Sequence, residues 1–185
     1  MIICIFFVFE GIYNFARFGS IWETGHNFHN AAAKFTENIQ KYGKISVHYI
    51  PINLYYLFIN VPQLQEKFPF FDFSLDGNSI LFTSPLFLLT FILVRRRYWQ
   101  KKEMIYFNLA IIVSIITIVT FLSVYFSTGF IQFGYRYALD FIPLLILLLA
   151  EIASMIHVLV LIPLFILSIL INMLGALWFL KIFPG

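Results

Sequence analysis

The stretch Met104–Phe126 contains no charged side chain, and this constrains the fold more than any other feature of the sequence. A membrane-spanning helix needs about 20 largely apolar residues, because lipid offers no partner to an exposed backbone amide or carbonyl. His157–Phe179 is a second stretch of this kind, interrupted by Pro163 and Asn172. Both stretches are long enough to cross a bilayer, so the sequence predicts an integral membrane protein with helical spans.

The overall composition agrees with this prediction. Hydrophobic residues make up 61% of the chain and charged residues 11%, whereas a soluble domain carries about 25% charged residues. An ordinary cytosolic enzyme, a disordered tail and a nucleic-acid-binding protein are therefore excluded. The net charge of +3 does not indicate a nucleic-acid partner, because five of the twelve basic residues lie in the short run Arg95–Lys102. The single cysteine, Cys4, excludes a disulfide framework.

Three further stretches complete the expected membrane layout. Ser79–Val94 is apolar but short, and Tyr137–Met155 is apolar apart from polar residues towards its two ends. Met1–Phe9 is too short to cross a bilayer and lacks the features of a secretory signal. We interpret it as the end of a truncated helix, residues 1–12, in a chain that forms the C-terminal part of a longer protein. The predicted fold is all-α, a polytopic bundle with about four to five transmembrane helices.

The basic run predicts the orientation of the bundle. Short loops rich in Lys and Arg stay on the cytoplasmic side of a membrane. The loop 95–103 is therefore expected inside, and the segment 13–78 and the loop Ser127–Arg136 outside. The bundle itself is expected to occupy residues 79–185.

The outer segment 13–78 is too aromatic for a normal soluble domain. Ala31–Tyr42 is predicted to form a short helix, and Ser46–Val61 is predicted to lie in the membrane interface. The residues around Asp72 and Asp76 include Pro, Gly and Asn, which predict a plain turn at Asp76–Asn78 and not a catalytic pair of acids.

Arg136 and Asp140 are candidate functional residues, because charged side chains near a bilayer are costly. Their i, i+4 spacing allows an ion pair on one side of a helix, bordered by an aromatic belt that includes Tyr135 and Tyr137. Alternatively, Arg136 presents its guanidinium to a phosphate at headgroup depth. Composition alone favours the ion pair. Arg17 has the same two interpretations, as an interface anchor or a phosphate contact.

Metal binding is not predicted from the residues. Glu23, His26 and His29 are spaced at three residues, which lacks the geometry of two histidines four apart on a helix, and Gly25 opposes a helix there. No cofactor is predicted, and nothing in the sequence supports a divalent metal.

Several motifs, in this order, resemble the C-terminal half of bacterial multi-pass glycosyltransferases of the GT-C class, which are related to protein mannosyltransferases. The motifs are Tyr13–Ser20 with Glu23-Thr24-Gly25, Asn53–Leu57, Gly77–Pro85, and Phe133–Tyr137 with Asp140 and Pro143.

The resemblance implies transfer of a sugar from a polyprenyl-phosphate donor to a lipid-linked or surface acceptor at the outer face of a bacterial inner (plasma) membrane. It also implies that the catalytic acid lies in a first outer loop that this chain does not contain. Arg136 and Arg17 then become candidates for contacts to the donor phosphate, supported by Asp140, Tyr135, Tyr137 and Glu23. The loop Asn14–His29 would shape the acceptor groove.

A non-enzymatic multi-pass protein, either an assembly subunit or a transporter component, is the alternative. A transporter should show ionisable residues near the middle of the membrane and related broken helices, and neither is visible. Asn108, Asn172 and Pro163 are better interpreted as helix-packing polar groups and a kink.

Overall fold

The computed structural model describes residues 2–25, 33–67, 70–94, 102–153 and 156–182. The described chain is mostly helical, with two short two-stranded sheets. It divides into two compact units, Met1–Gln40 and Lys41–Gly185, and each unit is considered by itself.

The elements of the described chain are as follows. The α-helices are α1 (Ile2–Phe18), α2 (Ala33–Tyr42), α3 (Ile50–Leu54), α4 (Ile80–Thr83), α5 (Lys102–Ser123), α6 (Ile142–Ala153) and α7 (Val158–Ile182). Other helical segments are the 3-10 helices Val47–Tyr49, Pro85–Val94 and Arg136–Asp140 and the π-helix Tyr55–Ile59. The strands are β1 (Gln63–Leu64), β2 (Phe71–Asp72), β3 (Asp76–Asn78) and β4 (Gln132–Gly134).

In the first unit, α1 extends beyond the expected boundary at residue 12 and ends only at Phe18. Gly19 follows at φ +73° and donates its backbone N–H to the carbonyl of Phe15. Such a glycine in the left-handed region commonly terminates a helix. The end of α1 is therefore set by the backbone conformation of Gly19 and not by a change from apolar to polar residues.

The predicted helix at Ala31–Tyr42 is found as α2 over its described part. Phe35 is buried and Ile39 is half-buried, whereas the residues between them are exposed. This is the i, i+4 pattern expected of a helix with one apolar side.

In the second unit, four helical passages alternate in direction. The start of α4, the end of α5 and the start of α6 meet in a cluster that contains Ile80, Phe87 and Phe141. A second cluster, around Leu89, Ile111 and Ile152, joins the middle of these passages to the first turns of α7. The last turns of α7 return to the first end, where Trp178 contacts Phe73. The passages are therefore antiparallel neighbours.

Two helices, Ile105–Ser123 and Val158–Lys181, are long and apolar enough to cross a membrane. They correspond to the two stretches that the sequence predicted as spans. The expected span at Tyr137–Met155 is divided, because the 3-10 helix Arg136–Asp140 and α6 are separated at Phe141. Length and composition thus identify two membrane-length helices in the described chain, and the remaining passages are shorter.

The passage after α4 is a 3-10 helix of ten residues, Pro85–Val94. Runs of this type longer than three or four residues are uncommon. Thr90 fits the tighter winding, because its hydroxyl donates to the carbonyl of Phe87, three residues earlier, at 2.6 Å. Ten residues cover about 20 Å in this form and only about 15 Å as an α-helix. The 3-10 winding therefore lengthens a stretch that contains few residues.

Asn172 packs α7 against the end of α4, in the helix-packing role that the sequence predicted. Its side-chain amide donates to the carbonyl of Thr83 at 2.7 Å and to that of Ser168 at 2.7 Å. Asn108 is also buried between helices, but its Oδ1 has no hydrogen-bond partner within the described residues.

Candidate functional site: the Gln132 network

Two short strands, β3 and β4, pair in parallel at one end of the bundle. Asp76 lies opposite Gln132, and Asn78 lies opposite Gly134. The prediction of a plain turn at Asp76–Asn78 is wrong, because these residues form a strand. The two strands can pair because Gly77 adopts φ +101° and has no side chain that would crowd the backbone of Tyr135. This places two of the motifs from the sequence side by side.

The side chain of Gln132 is the centre of this region, and it is 6% exposed. Its Nε2 donates to the carbonyl of Asp76 at 2.6 Å and to that of Thr128 at 2.8 Å. Its Oε1 accepts the backbone N–H of Arg136 at 3.2 Å. One buried amide therefore connects β3, the loop before β4 and the first residue of the 3-10 helix Arg136–Asp140.

Asn53 is a second buried side-chain amide of this region, and it is 1% exposed. Its Nδ2 donates to the carbonyls of Ser123 at 3.0 Å and Tyr125 at 2.8 Å, which lie at and just beyond the end of α5. Its Oδ1 accepts the hydroxyl of Tyr135 at 3.0 Å. The Asn53 amide and the Tyr135 hydroxyl can both be buried because each of them has a hydrogen-bond partner.

Asn60 and Asn78 complete the set of buried amides. The side chain of Asn60 donates to the carbonyl of Gly77 at 2.8 Å, and that of Asn78 donates to the carbonyl of Phe133 at 2.7 Å. We call Asn53, Asn60, Asn78, Gln132 and Tyr135 the Gln132 network. Its members satisfy the backbone of the loops around them, so the loops are held by side chains where no regular sheet exists.

Tyr135 lies inside this network, and the structure makes its phenol hard to ionise. Burial raises the pKa of Tyr135, and the neighbouring Tyr137 raises it further. The hydroxyl therefore stays protonated at neutral pH and donates to Asn53. A Tyr that was expected in an aromatic belt is instead a buried hydrogen-bond donor, 3% exposed.

We predict that Tyr135→Phe lowers the free energy of unfolding by about 1–2 kcal/mol, because the buried Oδ1 of Asn53 loses its donor. The effect should weaken above about pH 10. The pKa of Tyr135 is higher in the folded state than in the unfolded state. The stability that this difference contributes is present below the unfolded-state pKa and is lost as pH rises through the folded-state pKa. Denaturant titration of the wild type and the variant at neutral and alkaline pH measures this. An equal difference at both pH values would contradict the assignment.

Arg136 extends from the edge of the network and is exposed. Its guanidinium carbon lies 5.7 Å from the centre of the Tyr137 ring. The ion pair with Asp140 that the spacing allowed is not formed, although both residues are described. A 3-10 helix has three residues per turn, so the fourth residue is rotated by about 120° and points elsewhere. Arg136 is therefore anchored through its backbone and presents its charge outward.

Tyr56 and Asp76 form a second polar feature beside the network. The Tyr56 hydroxyl lies 3.5 Å from the Asp76 Oδ2, and both side chains are half-buried. Burial and the Asp76 charge raise the pKa of Tyr56. The sequence analysis considered Asp76 only together with Asp72, whereas its partner Tyr56 lies 20 positions earlier in the chain.

The other candidate residues belong to the first unit. Arg17 is exposed and donates to the Tyr13 hydroxyl at 2.6 Å. Glu23 accepts the backbone N–H of Gly25 at 2.9 Å, which closes the turn after α1. His26 and His29 lie outside the described residues. Among those that are described, no group of three His, Cys, Asp or Glu side chains could hold a metal ion.

Three of the sequence motifs thus meet in space: Asn53–Leu57, Gly77–Pro85 and Phe133–Tyr137. Gln132 precedes the last of them and was missed, because a single glutamine in an aromatic loop carries no periodic signal. The two glycines near it, Gly129 and Gly134, were the only local indication that something approaches the backbone closely. Comparison with protein-family models, with curated proteins and with solved structures finds no match.

Proposed function

We propose that this chain is part of a multi-pass membrane glycosyltransferase that uses a polyprenyl-phosphate sugar donor, with Arg136 contacting the donor phosphate. One observation carries the proposal: three motif segments, far apart in sequence, assemble around buried amides and leave one anchored arginine exposed. A phosphate site needs a cation in a fixed position, and Arg136 combines a held backbone with an exposed guanidinium.

The membrane layout is part of the proposal. α5 and α7 have the length of spans. We infer that the ten-residue 3-10 helix and α4 together form a third, because about 20 Å plus about 6 Å approaches the 30 Å of a hydrocarbon core. α6 forms a shorter fourth passage, and α1 a fifth. The basic run Arg95–Lys102 follows the end of the first passage opposite to the Gln132 network, which favours an outer position for that network and for residues 13–78.

The chemistry of Arg136 suits a phosphate at headgroup depth. A guanidinium presents paired N–H donors that match two phosphate oxygens, and it remains charged at any physiological pH. The adjacent ring of Tyr137 supports the cation from one side. Because the Arg136 backbone is fixed by Gln132, only the rotamer freedom of its side chain is lost on binding, and no backbone entropy. The resemblance implies that the acid that would activate an acceptor lies outside this chain. The residues of this chain would then bind and position the donor.

The donor contact is tested by substituting Arg136 in the protein reconstituted in phosphatidylcholine nanodiscs. We expect Arg136→Gln to weaken binding of undecaprenyl phosphate by about 10- to 100-fold, which corresponds to the loss of a charged hydrogen bond. Arg136→Lys should restore part of the affinity, since an ammonium keeps the charge but not the paired donors. Native mass spectrometry of the nanodisc complexes measures the occupancy.

Lys41→Gln is the matched control, because Lys41 is a surface cation of the same unit that stacks on Tyr42. It should leave the affinity for undecaprenyl phosphate unchanged. Unchanged binding in Arg136→Gln would remove the donor contact and with it the main support for the transferase.

A second candidate, a non-enzymatic assembly subunit, is favoured by the surface of the long helices. Only 11% of the apolar stretch of α5 and 6% of that of α7 is buried. Large apolar side chains such as Tyr106, Phe121 and Leu159 are exposed, which suits lipid and equally suits helices of another subunit. The coding sequence upstream of Met1 separates the candidates. An open frame with an acidic outer loop favours the transferase, and a nearby stop codon favours the subunit.

A further inference from the structure

Asp76, which the Tyr56 hydroxyl contacts, lies in β3, and Gln132 connects this strand to the backbone of Arg136. The backbone carbonyl of Asp76 and the backbone N–H of Arg136 bind the two ends of the same Gln132 amide, at 2.6 Å and 3.2 Å. The main chains of the acid and of the arginine are therefore separated by a single amide group. The backbones of an acidic residue and of an exposed arginine are thus held at one edge of the network.

The contact between Tyr56 and Asp76 is suited to exchange. At 3.5 Å it is at the outer limit of a hydrogen bond, well beyond the range of about 2.5–3.0 Å typical of two oxygens. A carboxylate offers about four acceptor positions, so Asp76 can accept ligand hydroxyls in addition to its present partners. The phenol of Tyr56 can both donate and accept. Both side chains are half-buried, so they are reachable from solvent and partly desolvated.

Aromatic rings border this pair. The ring of Tyr55 is 46% exposed and lies edge-on to that of Tyr56 at 5.4 Å. Tyr137 lies next to the Arg136 guanidinium, and Tyr56 and Tyr137 pack against the same apolar cluster. A carboxylate, a phenol and aromatic faces are groups that hold a polyhydroxylated ring, through its hydroxyls and its apolar C–H faces.

We propose that Tyr56 and Asp76 recognise hydroxyl groups of a ligand whose phosphate binds at Arg136, so that this edge of the network selects a sugar phosphate ester over a simple phosphate ester. The inference rests on the proposed function only in taking Arg136 as the phosphate contact. It assigns the selection for sugar to two residues of this chain.

The test compares five probes: farnesyl phosphate and its glucosyl, mannosyl, galactosyl and arabinosyl esters. Each is titrated against the protein in phosphatidylcholine nanodiscs, and binding is measured by intrinsic tryptophan fluorescence. The decisive quantity is the ratio of the affinity for the best sugar ester to the affinity for farnesyl phosphate. We expect a ratio of about 10 or more in the wild type, the effect of hydrogen bonds to a charged group.

Asp76→Asn and Tyr56→Phe should each reduce this ratio at least about threefold, and they should leave the affinity for farnesyl phosphate unchanged. Asp72→Asn is the matched control, because Asp72 is an exposed acid nearby, and it should retain the ratio. Thermal unfolding of each variant shows whether it is folded. A destabilised variant is compared with the wild type at a temperature at which both are fully folded. The affinity ratio measured there still tests the proposal.

The outcomes separate this inference from the proposed function. Binding of farnesyl phosphate that depends on Arg136, with a ratio near one for every sugar ester, overturns the sugar selection and leaves the phosphate contact intact. A high ratio that survives both Asp76→Asn and Tyr56→Phe also overturns the assignment. Failure of all five probes to bind overturns the phosphate contact and this inference together.

Discussion

Replacing Gln132 with Leu is expected to lower the free energy of unfolding by about 3–5 kcal/mol, the largest single effect in the second unit. Leucine has a similar volume but no polar atoms. The substitution leaves two buried carbonyls, of Asp76 and Thr128, and the N–H of Arg136 without their partner. Each such group costs about 1–3 kcal/mol when it is buried and unpaired.

The variant Gln132→Glu separates the donor from the acceptor function of the amide. Its carboxylate can still accept the Arg136 N–H, but it places negative oxygen against two carbonyls that need a donor. We expect destabilisation at neutral pH that decreases on acidification. The buried carboxyl should have a raised pKa in the folded state, so its protonated form, which donates one hydrogen bond, is stabilised at low pH.

Unfolding of both Gln132 variants is followed by titration of the micelle-bound protein with dodecyl sulfate, at pH 5 and pH 7. Gln40→Glu, on the exposed side of α2, serves as the control for the added charge. A loss below about 1 kcal/mol in Gln132→Leu would mean that the loops find other partners and that the glutamine is not their anchor.

The long helices could be predicted from the sequence because their signal is local. α5 and α7 each coincide with a stretch that lacks charge, and a bilayer requires little more than length and apolarity. The end of α1 was missed by six residues, since Gly19 and not a change in polarity terminates it. The 3-10 winding of Pro85–Val94 could not be predicted, because a segment that is apolar on all sides has no period to read.

The candidate site depends on contacts that no local pattern records. β3 and β4 contain three residues each, and more than 50 positions separate Asn78 from Gln132. A strand so short shows no alternation, and a parallel pair needs a long connection that hides it. The motifs around Asn53, Asn78 and Tyr135 were noticed only through a family resemblance. Their hydrogen bonds to one another supply the physical reason why those residues belong together.

Replacing Asn53 with Leu is expected to cost about 3–4 kcal/mol for a related reason. The carbonyls of Ser123 and Tyr125 lose the amide that caps the end of α5, and the hydroxyl of Tyr135 loses its acceptor. The last carbonyls of a helix have no intrahelical partner, so a side chain 70 residues away performs the function of a cap. Loss of this cap should loosen the junction between α5 and the loop that leads to Arg136.

A double-mutant cycle with Tyr135→Phe divides this cost. Once Asn53 is replaced, the Tyr135 hydroxyl is already without an acceptor, so removing it should cost nothing or restore stability. We therefore expect the two losses to be non-additive by about 1–2 kcal/mol, the energy of the single hydrogen bond between them. Hydrogen exchange at the backbone amides of residues 124–136 reports the second consequence, and these amides should exchange faster in Asn53→Leu than in Gln40→Leu.

The two readouts distinguish a cap from a simple filler of space. If Asn53 only fills space, leucine should replace it at a cost below about 1.5 kcal/mol, as volume-conserving exchanges usually do. The cycle would then be additive, and the amides of residues 124–136 would keep their protection. In that case the loop that carries Arg136 would be held by Gln132 and Asn78 without Asn53, and donor binding should survive the loss of Asn53 but not the loss of Gln132.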